Sequence, residues 1–155
     1  MESKSKKARA MVINKLRMTF PSISLNEAMA RASVAAFCAQ LSPSATEIAD
    51  IKCAVSEAVT NAIVHAYKND VGNVTVCVKL YDNRCVSIEI SDKGCGIADV
   101  NEARQPLFTT GAEDERSGMG FTVMESFMDR LSVRSTVGKG TTVTMKKQLT
   151  DLARL

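Results

Sequence analysis

At 155 residues, 45% hydrophobic and 24% charged, the chain has the size and composition of one domain with a core of its own. Its net charge of +3 is uneven: Lys4, Lys6, Lys7, Arg9, Lys15 and Arg17 meet only Glu2 within residues 1–17, leaving 14 basic and 16 acidic residues in the rest, so the body of the chain is not a basic nucleic-acid surface. Five cysteines share no metal-ligand spacing and there is one histidine, which excludes a zinc finger, and no apolar run approaches the ~18–20 residues of a membrane span. The expectation is a soluble cytoplasmic protein with reduced thiols and with no membrane or direct nucleic-acid partner. Residues 1–10 read as a basic flexible arm, 11–150 as a single domain and 151–155 as a tail.

In chain order, "VINKLRMTF" (Val12 to Phe20) alternates weakly and predicts an edge strand. "SLNE" (Ser24 to Glu27) has the form of a capping box. It predicts a helix to about Gln40 with Leu25, Ala28, Met29, Ala32, Ala36 and Ala39 turned inward. Ser42 and Pro43 signal a second helix start. That helix is expected to reach Tyr67, with Ile51, Val55, Val59, Ala62 and Ile63 on its core face. "KNDVGN" breaks the pattern. Two strands follow, one with Val74, Val76, Val78 and Leu80 on a face and one with Val86, Ile88 and Ile90, joined by a turn at "YDNR". Residues 98–117 read as irregular, "MGFTVMESFMDRL" as helical, and the last stretch as a hairpin turning at Gly138–Gly140. The predicted fold class is α+β, a two-layer sandwich with helices on one face of a mixed, mostly antiparallel sheet.

Several groups stand apart from this packing pattern. Glu57 and Asn61 are four residues apart, about one helical turn, so both side chains point the same way. Asp92 continues the apolar face of its strand, where a carboxylate costs several kcal/mol unless it is paired or hydrogen-bonded. It precedes Gly94 and Gly96, and two readings are open: an ordinary strand-end turn, or the floor of a pocket accepting an exocyclic amine. Gly118 and Gly120 precede a helix, whose free N–H groups favour phosphate. Neither common phosphate loop is present. No strand precedes Gly118 and Val123 stands where a Rossmann glycine belongs, while "GKGTT" lacks the hydroxyl after lysine and the earlier glycine of a Walker loop. The stretch from Arg104 to Gly118 is too long for a plain connection; Thr109, Thr110 and Arg116 suit a lid over phosphates. Thr141 turns inward at the start of the last strand. His65 lies where an imidazole caps helix carbonyls.

Taken together, "EAVTNAIVHAY", "DKGCGI", "ERSGMGF" and "GKGTTV" resemble, in order, the N box and the three glycine boxes of the GHKL ATPase/kinase superfamily. Within it, "NEAMARASVAAF", "EARQPLFTT" and "ERSGMGFTVMESFMD" resemble the anti-sigma-F factors of endospore-forming bacteria, serine protein kinases that hold a sporulation sigma factor inactive. The resemblance covers nearly the whole chain and implies a GHKL ATP-binding fold with ATP, ADP and Mg²⁺ as ligands. It implies that Asn61 binds the magnesium and that Glu57 acts as base beside the γ-phosphate. Asp92 would take the adenine amine with Thr141 helping through water, and Gly94 and Gly96 would make room for the base. Arg116, Ser117, Gly118, Met119 and Gly120 would wrap the phosphates under a lid carrying Thr109 and Thr110. Arg31 would contact the sigma factor. Implied partners are sporulation sigma factor F, an anti-anti-sigma factor phosphorylated on serine, and a second copy in a homodimer. Alternatives are a related stress-response anti-sigma kinase acting on another sigma factor, an ATP-binding anti-sigma module without kinase activity, and the catalytic half of a histidine kinase.

Overall fold

The computed structural model describes residues 8–105 and 120–150. The chain opens with β1 (Val12–Pro21), then α1 (Leu25–Cys38), a 3₁₀ turn (Ala39–Leu41) and α2 (Ala45–Asn61), which continues as a π-helical turn over Ala62–Ala66. Next come β2 (Asn73–Tyr81), β3 (Cys85–Asp92), the short α3 (Val100–Ala103), α4 (Gly120–Phe127), β4 (Arg130–Thr136) and β5 (Gly140–Gln148). The sheet order is β1-β2-β3-β5-β4, and every pairing is antiparallel. β1 is an edge strand, as expected.

Register lines up the core face. Val76 stands opposite Ile90, Val78 opposite Ile88 and Leu80 opposite Val86; Ile90 pairs with Val143 and Ile88 with Met145. All are buried, and α2 covers them with Ile51, Ala54, Val55, Ala58 and Val59. Ile63 packs at the margin. At the far end of this face Lys147 is buried too, its Nζ donating to the Phe127 carbonyl at 2.7 Å and to Asp50 at 3.3 Å. One cation thereby caps α4, engages α2 and leaves no buried amine unsatisfied.

Four local expectations are corrected. First, α1 presents the opposite face to the core: Ala30, Val34 and Cys38 are buried, while Leu25, Ala28, Met29, Ala32, Ala36 and Ala39 are all exposed. Second, Ser24 makes no side-chain cap, because its backbone is already helical. Glu27 instead accepts a 2.5 Å hydrogen bond from Ser56 of α2. The capping box forms at α2, where Ser44 Oγ accepts from the Glu47 N–H and the Glu47 carboxylate accepts from the Ser44 N–H. Ser42, placed at that helix start from the sequence, has left-handed backbone closing the 3₁₀ turn. Third, α4 stops at Phe127 rather than running to Leu131; the Asp129 N–H pairs with the Lys146 carbonyl as β4 begins. Fourth, the segment read as irregular from residue 98 contains α3, with Asp99 accepting from the Glu102 N–H at its start.

Candidate functional site

Glu57 and Asn61 lie on α2, whose π-helical continuation ends at Ala66 beside the loop after β3. Both are half-buried. The first residue of α4 closes against them: a Cβ placed on Gly120 would sit 3.1 Å from Asn61 Nδ2 and 3.3 Å from Glu57 Oε2. Any larger residue there would press on the amide and the carboxylate. Thus two side chains one turn apart, placed on one side of the helix by their spacing, meet the start of a later helix at one place.

The second part of the site is built at the end of β3. The register that pairs Ser91 with Thr142 sets Asp92 beside Thr141, on the face continued from Ile88 and Ile90. Asp92 Oδ1 accepts from the Gly94 N–H at 2.9 Å and from the Thr141 N–H at 3.2 Å. Oδ2 takes no bond from a described residue. Burial pushes the Asp92 carboxyl above the ordinary carboxylate range, against the pull of the two backbone N–H groups. The turn reading of Asp92 thus accounts for Oδ1.

The two glycines after Asp92 serve chain packing. A Cβ on Gly94 would lie 2.2 Å from the Ala66 carbonyl oxygen, and one on Gly96 would lie 2.4 Å from that of Thr136. Gly96 also has φ of +75°, which disfavours a side chain. The loop is held by the Cys95 N–H on the Ala66 carbonyl at 2.7 Å, by the Gly138 N–H on the Cys95 carbonyl at 2.8 Å and by the Ile97 N–H on Ser135 Oγ at 2.7 Å. The π-helical turn at Ala62–Ala66 supplies the first of these acceptors; such turns recur at functional sites. Close packing thus locks the β3 loop to the end of α2 and to the β4–β5 hairpin.

Two further residues shape the site without being singled out in the sequence. Tyr67 accepts from the Lys93 N–H at 2.8 Å and donates to the Asn73 carbonyl at 2.7 Å, pinning the root of the β3 loop. Ser135 links Ile97, Gly140 and Thr141. Its parity with Leu131 and Val133 marked it as inward, but an inward serine on a short strand carries no signal of its own. Arg104 pairs with Glu125 of α4, so the two flanks of segment 106–119 meet. Thr109, Thr110, Arg116, Ser117, Gly118 and Met119 lie outside the described residues. Arg31 lies on α1, away from this site in the sequence, with its guanidinium 3.7 Å from Glu27 and its side chain 39% exposed.

A family profile described as "Histidine kinase-like ATPase domain" matches residues 23–147. Anti-sigma F factors from Caldanaerobacter subterraneus and a Geobacillus strain are 57% and 53% identical, each over 88% of this chain and 94% of the relative. One from Clostridium acetobutylicum is 51% identical over 89% of this chain and 96% of the relative. The chain belongs to the anti-sigma F factor family of histidine kinase-like ATPases. Among solved structures, the RsbU and RsbW domains of a Mycobacterium tuberculosis protein align over 88% of this chain and 32% of that longer one, at 20% identity and a TM-score of 0.63. A histidine kinase domain from Erythrobacter litoralis aligns over 77% of this chain and 59% of its own, at 17% identity and a TM-score of 0.52. These two likenesses show the shared fold. Family membership implies that the chain binds ATP or ADP. Among the described residues no cluster of three or more His, Cys, Asp or Glu could hold a metal, and no helix is long and apolar enough to cross a membrane.

Proposed function

We propose that this anti-sigma factor binds Mg·ATP and transfers the γ-phosphate to a serine of a small anti-anti-sigma protein. The observation that carries the reading is the meeting of Glu57, Asn61 and the start of α4 at one place, with Asp92 held beside Thr141 at the end of β3. The free oxygen of Asp92 accepts the exocyclic amine of adenine, and Thr141 assists through water. Gly118 and Gly120 fall where a helix begins, next to Arg116 and Ser117, a segment suited to phosphate. Thr109 and Thr110 complete a lid. Asn61 offers an amide oxygen, and magnesium, a hard ion that keeps most of its waters, requires few protein ligands. When bound, it offsets the charge of the phosphates.

The chain's own contribution to transfer is placement and one proton. Glu57 accepts the proton of the attacking serine hydroxyl while the new O–P bond forms. The bond from the γ-phosphorus to its bridging oxygen breaks and ADP departs with that oxygen. The sigma factor is held in the ATP state by a dimer whose surface includes α1 and Arg31. The exposed apolar face of α1, with Leu25 81% and Met29 40% exposed, supports that surface, as do Met11, Val12 and Ile13 on the open edge of β1. Exchange of ATP for ADP biases which partner is kept.

The test is γ-labelled ATP with the chain and a purified anti-anti-sigma protein, followed by phosphoamino-acid analysis. Labelled, acid-stable phosphoserine is the expected product. Binding of ATP without any transfer would leave an anti-sigma module that uses nucleotide only structurally. Acid-labile phosphohistidine would assign histidine-kinase chemistry instead.

A further inference from the structure

The core helices pack on one face of the sheet, and the strand register fixes what the other face carries. Lys15 stands opposite Lys79, Lys79 opposite Ser87, Ser87 opposite Lys146 and Lys146 opposite Arg130. Residues paired across a ladder share a face, so these five form one row over all five strands, about 19 Å long at ~4.8 Å per strand. Arg17 and Arg134 lie on the same face of their strands, because side chains alternate. Lys15, Arg17, Arg130, Arg134 and Lys146 are exposed and Lys79 is half-buried. Among the described strands the only acidic residues are Glu89 and Asp92, and Asp92 belongs to the opposite face. Six cations therefore share a face with one carboxylate. The expectation of no nucleic-acid partner rested on a count over the chain, which averages this face with acidic residues placed elsewhere.

Like charges directly opposite in a ladder destabilise a sheet, and here that happens twice, with Lys15 against Lys79 and Arg130 against Lys146. The ion pairs among the described residues, Arg31–Glu27, Arg104–Glu125 and Lys147–Asp50, engage none of the six. Asp82 and Asp129 stand at the margin, and each already accepts a backbone N–H, from Met11 and Gln148. The repulsion is relieved when an anion from outside sits on the row. We propose that this face of the sheet binds the phosphate backbone of double-stranded nucleic acid without reading its sequence. A protein partner calls for an apolar or aromatic centre. This face instead sets Thr19, Thr75, Ser91 and Thr142 among its cations, and its one aromatic ring, Tyr81, lies at the end of β2. Nucleic-acid surfaces are polar and strongly positive, and Lys, Arg and hydroxyl side chains hold the phosphates. Single strands call for several aromatic platforms, which this face lacks. Lys4, Lys6, Lys7 and Arg9 precede β1, the strand at its edge, and add to the same charge.

The experiment is fluorescence anisotropy of the full chain with a labelled duplex of about 20 base pairs, from 50 to 200 mM salt. With four to six phosphates engaged, log K against log salt should fall with a slope of about −3.5 to −5.5. A duplex of unrelated sequence should bind within about twofold, and a single strand of equal length more weakly. Lys79→Thr, Arg130→Thr and Lys146→Thr keep a strand-forming residue. Each should make the slope shallower by about 1 and weaken binding about five- to tenfold, with folding checked by circular dichroism. Lys52→Ala, exposed on α2, should change neither quantity. Replacing Lys4, Lys6 and Lys7 together by alanine should weaken binding but leave the losses at Lys79 and Lys146 in place. Folded sheet variants that bind the duplex as the unaltered chain does overturn the proposal, as does an unaltered chain without measurable binding at 50 mM salt. Tighter binding to the single strand, or displacement of the duplex by polyglutamate at equal charge, gives the face to another anion and overturns it as well.

Discussion

Each oxygen of Asp92 has a separate task, and the separation is testable. Oδ1 holds two backbone N–H groups, Oδ2 takes no bond from a described residue, and the proposed function gives Oδ2 to the base. Asn at this position keeps the carbonyl oxygen for the two N–H groups and replaces the free acceptor by a donor. Because burial raises the folded-state pKa of Asp92 above its ordinary value, its contribution to stability is present at acid pH and is lost as pH rises through that raised pKa. Asp92→Asn should therefore raise Tm at neutral pH, with the difference vanishing below about pH 4, while ATP affinity falls at least tenfold. A neutral-pH Tm below that of the unaltered chain would contradict this division. Glu57→Gln should retain ATP binding and lose about 10²-fold or more of phosphotransfer, the usual worth of a general base. Unchanged turnover would remove Glu57 from the chemistry. Both carboxylates could be read from the sequence because each breaks a local pattern, one an apolar helix and the other an apolar strand face. Ser135 and Tyr67 break none. Their roles depend on partners from 5 to 38 residues away in the chain.

Among the elements, the strands were the most legible, because alternation of Val and Ile against polar residues admits only one inward face. α1 was misread for a physical reason. It is apolar on two sides, and the stripe through Leu25 and Met29 keeps helical spacing as well as the one through Ala30, Val34 and Cys38 does. The core selects the second stripe, and the first stays exposed. The thiol of Cys38, buried there, is pushed up to about 12, so it is no nucleophile at neutral pH. Val34→Asp should unfold the chain or cost several kcal/mol, whereas Met29→Asp should change stability by less than about 0.5 kcal/mol. Caps were misread likewise: "SLNE" and "SATE" have the same form, and only backbone geometry at the serine decides between them. Ser44→Ala should cost about 0.5–2 kcal/mol and Ser24→Ala much less, as urea denaturation can measure. Equal losses would contradict the assignment.

On the scale of the whole molecule, one antiparallel sheet and the helices build two juxtapositions of groups distant in sequence, Glu57 and Asn61 with Gly120, and Asp92 with Thr141. Glu57 and Asn61 come from α2, Asp92 from the end of β3, Gly120 from the start of α4 and Thr141 from β5. The loop after β3 packs against Ala66 on one side and Thr136 on the other. Helix end, sheet end and hairpin therefore form one frame. The order of the motifs along the chain indicated such a frame, but the antiparallel placement of β5 between β3 and β4 was needed to set Thr141 beside Asp92. The most direct test is a crystal structure of the full chain with magnesium and a non-hydrolysable ATP analogue. The account predicts the adenine amine within hydrogen-bonding distance of Asp92 Oδ2 and the terminal phosphate beside Asn61 and Glu57. An analogue bound with its base away from Asp92, or with its terminal phosphate away from α2, would contradict it.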